Sequence, residues 1–291
     1  MHMANNLRWP VILLICFFIL ADSLSAQEQE WKNNPRELVR RAAANENKSP
    51  AKPMYFMYRD MKLNSKTGQT ETREMIHTPA LTLARIIAID GHPLSADAKA
   101  KEDARLNRLT ADSEELTKKI KQQKLDDARA RKMVQAIPDA FNFQYVNTVK
   151  KESGDVVVMQ FKPNPNWNPP DRELQVFSGM EGTLEIAVPQ ERIALMDARL
   201  FKAVDFGWGI FGRLYPGGNF LIEQKEVYPS YWDTTHMQLH FTGKILMIKS
   251  LNIQEDEKTS DYHPVDGMTV AQALNKLKEV DDEYARNANG K

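Results

Sequence analysis

The residues with the types to do chemistry are two histidines, three carboxylates and a run of aromatics. His236 and His240 stand four apart, a spacing that on a helix would present a zinc pair. They lie in Thr235-His-Met-Gln-Leu-His-Phe241, which alternates apolar and polar residues as a strand does. Four residues of strand rise about 13 Å, so both rings cannot reach one ion, and they read as a polar outer face. His77, His92 and His263 lie near turns without a neighbouring cysteine or carboxylate cluster. Asp197, Asp205 and Glu223 would suit acid–base work if the fold gathered them, but nothing in their spacing requires it. The sequence has no nucleophile elbow, phosphate-cradling loop or dinucleotide fingerprint. Gly207 and Gly209 flank Trp208 without strand-to-helix context and mark a bulge or bend. No catalytic residue, metal site or cofactor is assigned. The remaining candidate is apolar: Phe206, Trp208, Phe211 and Tyr215 could line a ligand wall, or could fill a core beneath covering helices.

The stretch from Phe177 to Tyr228 must position these residues. Short alternating runs there are punctuated by Gly179-Met-Glu-Gly182, Pro189-Gln190 and Pro216-Gly-Gly-Asn219, the hairpin spacing of a meandering antiparallel sheet. Further strands are expected over Met54–Leu63, through Met75-Ile-His77 and over Leu81–Asp90, where Leu81, Leu83, Ile87 and Ile89 share a face interrupted by Arg85. A hairpin is expected over residues 141–161. Gly243 is expected to turn the chain into Ile245-Leu-Met-Ile248, and Gln254–Thr259 to form a charged exit. Pro163-Asn-Pro-Asn-Trp-Asn-Pro-Pro170 excludes a central strand and reads as a connector or crossover between sheet halves.

Helices are expected at three places. Asn34-Pro35-Arg-Glu37 combines a capping residue, a first-turn proline and an acid at the positive helix end. Thr269-Val-Ala-Gln272 matches a capping box, with Ala271, Leu274, Leu277 and Val280 following at helical spacing. Between them, Ser95–Ala136 has no Gly or Pro and carries 11 Lys/Arg and 8 Asp/Glu. Its thin seam of Leu106, Leu109, Leu116 and Ile120 describes one long helix or two consecutive ones, polar on almost all sides, ending at Ile137-Pro138. It is either a solvated insertion or an arm that contacts a partner.

Composition and the first residues argue for compartment. Lys+Arg 39 against Asp+Glu 39 leaves no net charge, hence no global field to attract nucleic acid. Arg8, the apolar run Val11–Leu20 and the small and polar Ala21–Ala26 have the layout of a cleaved signal peptide over residues 1–26. The run is too short for a stable transmembrane span, which needs about 20 residues. The single cysteine, Cys16, lies in that run after Ile15, where lipidation is not expected. The mature chain, residues 27–291, would have no disulfide, which fits a bacterial periplasmic or secreted cell-envelope protein.

Asp139-Ala-Phe-Asn-Phe143, Phe161-Lys-Pro-Asn-Pro165, Phe177-Ser-Gly-Met-Glu-Gly-Thr-Leu184 and Val204-Asp-Phe-Gly-Trp-Gly-Ile-Phe-Gly212 resemble an uncharacterised family of secreted bacterial proteins. That family's fold is similar to the periplasmic outer-membrane lipoprotein-sorting carriers, and the resemblance spans most of residues 52–260. It implies an α+β fold: a strongly curved antiparallel sheet, an unclosed half-barrel, covered by helices. Residues 27–291 would form one domain, with a long charged helical insertion at 95–137 that the small carriers lack. It further implies non-enzymatic binding of a lipid or lipoprotein acyl chain, with Phe206, Trp208, Phe211 and Tyr215 as ligand-binding residues. Fold alone does not carry function. The competing expectation is a scaffold module that binds an envelope protein partner through the charged helix 95–136.

Overall fold

The structure, a computed structural model, describes residues 30–48, 52–151, 153–206, 211–246 and 249–289, apart from the side chains of Thr110 and 280–289. The expected leader and Trp208 lie outside these residues. Helix α1 (Pro35–Glu46) precedes β1 (Tyr55–Leu63), β2 (Thr70–His77), β3 (Thr82–Ile89) and the two-residue β4 (His92–Pro93). Helices α2 (Ala96–Ala111) and α3 (Ser113–Ala140) follow. The chain then returns to the sheet with β5 (Phe141–Lys151) and β6 (Gly154–Pro163), a 3₁₀ helix (Glu173–Gly179), β7 (Met180–Ala187) and β8 (Arg192–Leu200). Next come β9 (Val204–Phe206), β10 (Gly212–Leu214), β11 (Asn219–Tyr228), β12 (Tyr231–Ile245) and β13 (Lys249–Val265), and α4 (Val270–Asn289) closes the series.

The strands form one 13-stranded sheet in the order β4-β3-β2-β1-β13-β12-β11-β8-β7-β6-β5, with β10 pairing both β12 and β9. The two ends of this order do not pair, so the barrel is unclosed. Phe56 of β1 meets Tyr228 at the end of β11 with ring centroids 5.6 Å apart. Three strand spacings separate β1 from β11, about 14 Å in a flat sheet, so the sheet curls towards the face that bears Phe56.

Register shows how the apolar residues are shared between the two faces. Ala198 lies opposite Phe220, Phe220 opposite Leu239, and Leu239 opposite Glu255. Two residues along β13, Glu257 lies opposite Lys62. One face therefore runs from the β5–β8 wall to Lys62, Asp60, Tyr58 and Phe56 of β1, and we call it the inner face. Its main cluster joins Leu38, Val39 and Ala42 of α1 to Phe141, Met159, Phe161, Leu184, Ile186 and Met196. The other face of β1–β3 carries Met57, Ile76 and Leu83, covered by Leu106 and Leu109 of α2 and by Ala273, Leu274 and Leu277 of α4. Helices thus cover opposite faces at opposite ends of one sheet.

The charged insertion is built into the fold. Edge strand β3 outruns the short β4, which leaves backbone groups unpaired at its rim. Gln123 accepts from the Thr82 N–H at 2.9 Å, Glu102 accepts from the Ile86 N–H at 2.9 Å, and Arg105 donates to the Ala84 carbonyl at 2.7 Å. Such cover blunts an edge that would otherwise template pairing. Helix α3 then crosses from this edge to the other, where Ile137 and Ala140 enter the main cluster and Phe141 begins β5. Pro138 does not stop the helix as the sequence suggests. It sits in the last turn, buried with Ile137 and Ala140.

Three other expectations change. Residues 254–259 are the middle of β13, the longest strand, because their charges pair across it: Lys62 binds Glu257 at 2.9 Å and Arg73 binds Glu257 at 3.3 Å. Gly243 is not a turn but lies within β12, where a Cβ would come 2.1 Å from the Arg213 carbonyl of β10. The Pro163–Pro170 connector joins the neighbouring strands β6 and β7, and its Trp167 packs on Phe177 with centroids 6.3 Å apart. Arg85, the interruption on the β3 face, is fully buried and pairs with Asp103 of α2 at 2.8 Å.

Candidate functional site

The half-barrel has two aromatic regions, one at each end. At the first, β9 and β10 place three of the expected wall residues. Phe206 is half-buried against the main cluster and lies opposite Gly212, whose missing side chain leaves the ring room. Phe211 is exposed, with the Arg172 guanidinium 4.0 Å from its ring centre. Tyr215 is half-buried just beyond β10, where its N–H donates to the Thr242 carbonyl at 2.8 Å. Phe211 donates its N–H to the Phe206 carbonyl at 3.2 Å, which joins those two residues at the strand ends. Strand alternation puts Phe206 on the opposite side from Phe211 and Tyr215.

The second region was not foreseen. Tyr58 stacks on Tyr262 with centroids 4.8 Å apart, and the His77 ring meets Tyr58 edge-on at 5.0 Å. Phe56 lies 4.3 Å from Tyr231. Around these rings sit the carboxyls of Asp233, hydrogen-bonded by Tyr262, and of Glu46 at the end of α1. Glu46 pairs with Arg192 at 2.8 Å and accepts from the Ile193 N–H at 2.9 Å. Arg192 also donates to the Asn45 carbonyl at 3.0 Å, so a cation holds the negative end of the α1 dipole.

Burial sets the protonation of this region. It raises the pKa of Glu46, opposed by Arg192, and raises that of Asp233. Burial pushes the phenols of Tyr58, Tyr231 and Tyr262 above their ordinary range, so they stay neutral donors. It also drives His77 down to about 4, leaving a neutral imidazole at pH 7. Asp60, in contact with Arg73, is nonetheless pushed up to about 6, chiefly by burial. A charge is costly on this surface unless it is paired. The sequence carried only a weak signal for it, since Tyr58 and Tyr262 are brought together across some 200 residues by strand pairing alone.

The chemical candidates remain dispersed. Asp205 pairs with Arg213 at 2.5 Å, Asp197 lies opposite Thr183 and Leu221, and Glu223 lies opposite Leu195 and His236. His236 contacts Asp256 at 3.1 Å. Among the described residues no group of three or more His, Cys, Asp or Glu could hold a metal ion. An open cleft of about 670 Å³ is lined by Met61, Glu223, His236, Lys258, Asp261 and Tyr262. A second, of about 920 Å³, is lined by Lys150, Lys151, Glu185, Leu195 and Trp232. Both clefts carry charged walls.

The fold class is therefore α+β, a large curved antiparallel sheet left open and flanked by helices. No family model matches the chain, and no curated protein matches it. A solved domain from Vibrio parahaemolyticus, provisionally assigned as an outer membrane lipoprotein-sorting protein, is similar to it at a TM-score of 0.32 and 11% identity. The match covers 82% of this chain and 97% of that domain. Among the described residues no helix is long and apolar enough to cross a membrane.

Proposed function

We propose that this is a non-enzymatic cell-envelope protein that binds an apolar ligand, a lipid or lipoprotein acyl chain, on the inner face of the half-barrel. In this reading α1 is the displaceable cover, and Phe206, Trp208, Phe211 and Tyr215 form the rim. The carrying observation is how α1 sits. Only Leu38, Val39, Ala42 and Ala43 of α1 are buried; the first three share one cluster with Met159, Leu184 and Met196 of the sheet, and α1 also packs along α3. Polar contacts fasten its ends: Arg36 to the Phe141 carbonyl at 3.3 Å, Arg41 to Glu191 at 2.8 Å and Glu46 to Arg192 at 2.8 Å. A short helix with a narrow apolar stripe lies where an acyl chain would lie. The rival reading, a scaffold using the charged helix 95–136, is left mainly with the exposed middle of α3. Glu102, Asp103, Arg105 and Gln123 are already engaged with the sheet.

The test is a reversible staple. Asn45→Cys with Glu191→Cys joins the end of α1 to the turn its Asn45 amide contacts at 3.1 Å, with Cys16, the single native cysteine, replaced by Ser. A fluorescent fatty acid should load under reducing conditions and be excluded under oxidising ones. Equal loading in both states would mean that ligand does not enter under α1. Failure to load in either state, with no lipid co-purifying from a periplasmic extract by native mass spectrometry, would end the reading.

A further inference from the structure

At the β9–β10 end the fold presents apolar side chains to solvent and frames them with cations. Leu246 is 58% exposed, Phe211 47% and Ile245 36%. They are adjacent: Ile245 lies opposite Gly212, and the Leu246 N–H donates to the Phe211 carbonyl at 3.3 Å. Leu246 also has a φ of 49°, a left-handed conformation that glycine or asparagine adopts far more readily. Non-glycine outliers of this kind cluster at functional sites. In the sequence, four apolar residues, 245–248, stand between Lys244 and Lys249. Both lysines are exposed, and Arg172 covers Phe211. The nearest acid along these strands, Asp205, is neutralised by Arg213 at 2.8 Å.

We infer that this tip docks on an anionic lipid bilayer, with Phe211, Ile245 and Leu246 entering the interface and Lys244, Lys249 and Arg172 meeting the head groups. Long cationic side chains beside apolar ones suit that boundary, where the stems stay in apolar surroundings and the charges reach the phosphates. Each lysine near such a surface contributes about a fivefold gain in affinity. The net charge of zero supplies no general attraction, so binding must come from this local arrangement. The inference is independent of whether any ligand lies under α1.

The experiment is vesicle flotation with phosphatidylcholine alone and with phosphatidylcholine containing about one-third phosphatidylglycerol. Because the apolar run 11–20 would itself enter bilayers, all variants carry the same N terminus. The unmodified protein should float with anionic vesicles, less so as salt rises. Lys244→Gln with Lys249→Gln should lower the affinity about 25-fold. Leu246→Gly should also weaken it while holding or raising the melting temperature, since glycine relieves the φ of the turn. That pairing separates lost contact from lost folding. Protein that stays below both vesicle types would overturn the proposal, as would flotation indifferent to all three substitutions. Self-association abolished by Leu246→Gly, without vesicle binding, would assign the tip to a second copy of the chain instead.

Discussion

Glu74→Gln should stabilise the protein at pH 8 and leave it nearly unchanged at pH 5. Glu74 is buried on the outer face of β2, and its Oε2 has no hydrogen-bond partner among the described residues. Its ion-pair partner Arg59 is 3.7 Å away and closer to Asp261, at 2.9 Å. Burial, offset in part by Arg59 and reinforced by Asp261, raises the carboxyl from its ordinary 4.5 to about 7. The folded pKa lies above the unfolded one, so the folded state favours the proton. The associated stability is complete below pH 4.5 and is lost as pH rises to about 7. A displacement of about 2.5 pH units at 1.36 kcal/mol each sets a ceiling of about 3 kcal/mol. Glutamine keeps the shape and stays neutral throughout. With relaxation lowering the ceiling to about 2 kcal/mol, the melting temperature at pH 8 should rise by about 4–8 °C. The assay is thermal unfolding by circular dichroism from pH 5 to 8.5 for both proteins, and the readout is their difference at each pH. A difference that is flat across this range, or that grows towards acid, would refute the reasoning.

Other perturbations test other parts of the fold. His77, held down to about 4 by burial, carries the opposite sign: its stability is complete above pH 6.5 and is lost as pH falls towards 4. His77→Phe, which keeps an edge for Tyr58, should therefore flatten the acid limb of the stability curve, read by urea unfolding at pH 7 and pH 5. Glu102→Ala frees the Ile86 N–H at the sheet edge and should cost about 1–3 kcal/mol, with faster hydrogen exchange at that amide than in the sheet centre. Gly243→Ala drives a Cβ into the Arg213 carbonyl. It should cost about 2 kcal/mol or more, and amide shifts in an NMR spectrum should concentrate in β10.

The meander was legible because its punctuation is local. Glycine, proline and asparagine mark turns by their own backbone preferences, and the expected strands appear where apolar alternation is clean. The capping box is equally local, with Thr269 N–H bonded to Gln272 at 2.9 Å and Gln272 N–H to Thr269 at 3.3 Å. Pairing partners were not legible. The acids of β13 resemble a solvated exit until Lys62 and Arg73 are placed opposite them. The insertion resembles a free arm until Glu102, Arg105 and Gln123 are found capping β3. The tyrosine region depends on the register of β1 with β13 and on the β11–β12 hairpin folding over Phe56, neither of which any short segment encodes. Phe206 ends β9 while Phe211 and Tyr215 flank β10, and the side each faces follows from the pairing of β9 with β10.

The case for α1 as the cover also rests on energetics. Helices α2 and α4 share a buried cluster with the outer face, and α2 caps an edge strand. Helix α3 runs directly into β5, so none of these three can leave without dismantling the sheet. Lifting α1 would expose Leu38, Val39, Ala42 and Ala43. At about 2–3 kcal/mol for each large side chain and about 0.8 for each methyl, that costs about 6 kcal/mol. An acyl chain regains about 0.8 kcal/mol per buried methylene, so about eight methylenes offset the loss. The more exposed contacts of Arg36 and Arg41 add about 1 kcal/mol each at most, and breaking the more buried Glu46–Arg192 pair adds more. Under the proposed reading a long acyl chain would offset the cost of displacing α1, whereas a short-chain acid would not. If α1 is the cover we propose, selectivity for long chains would follow from the size of the stripe it buries.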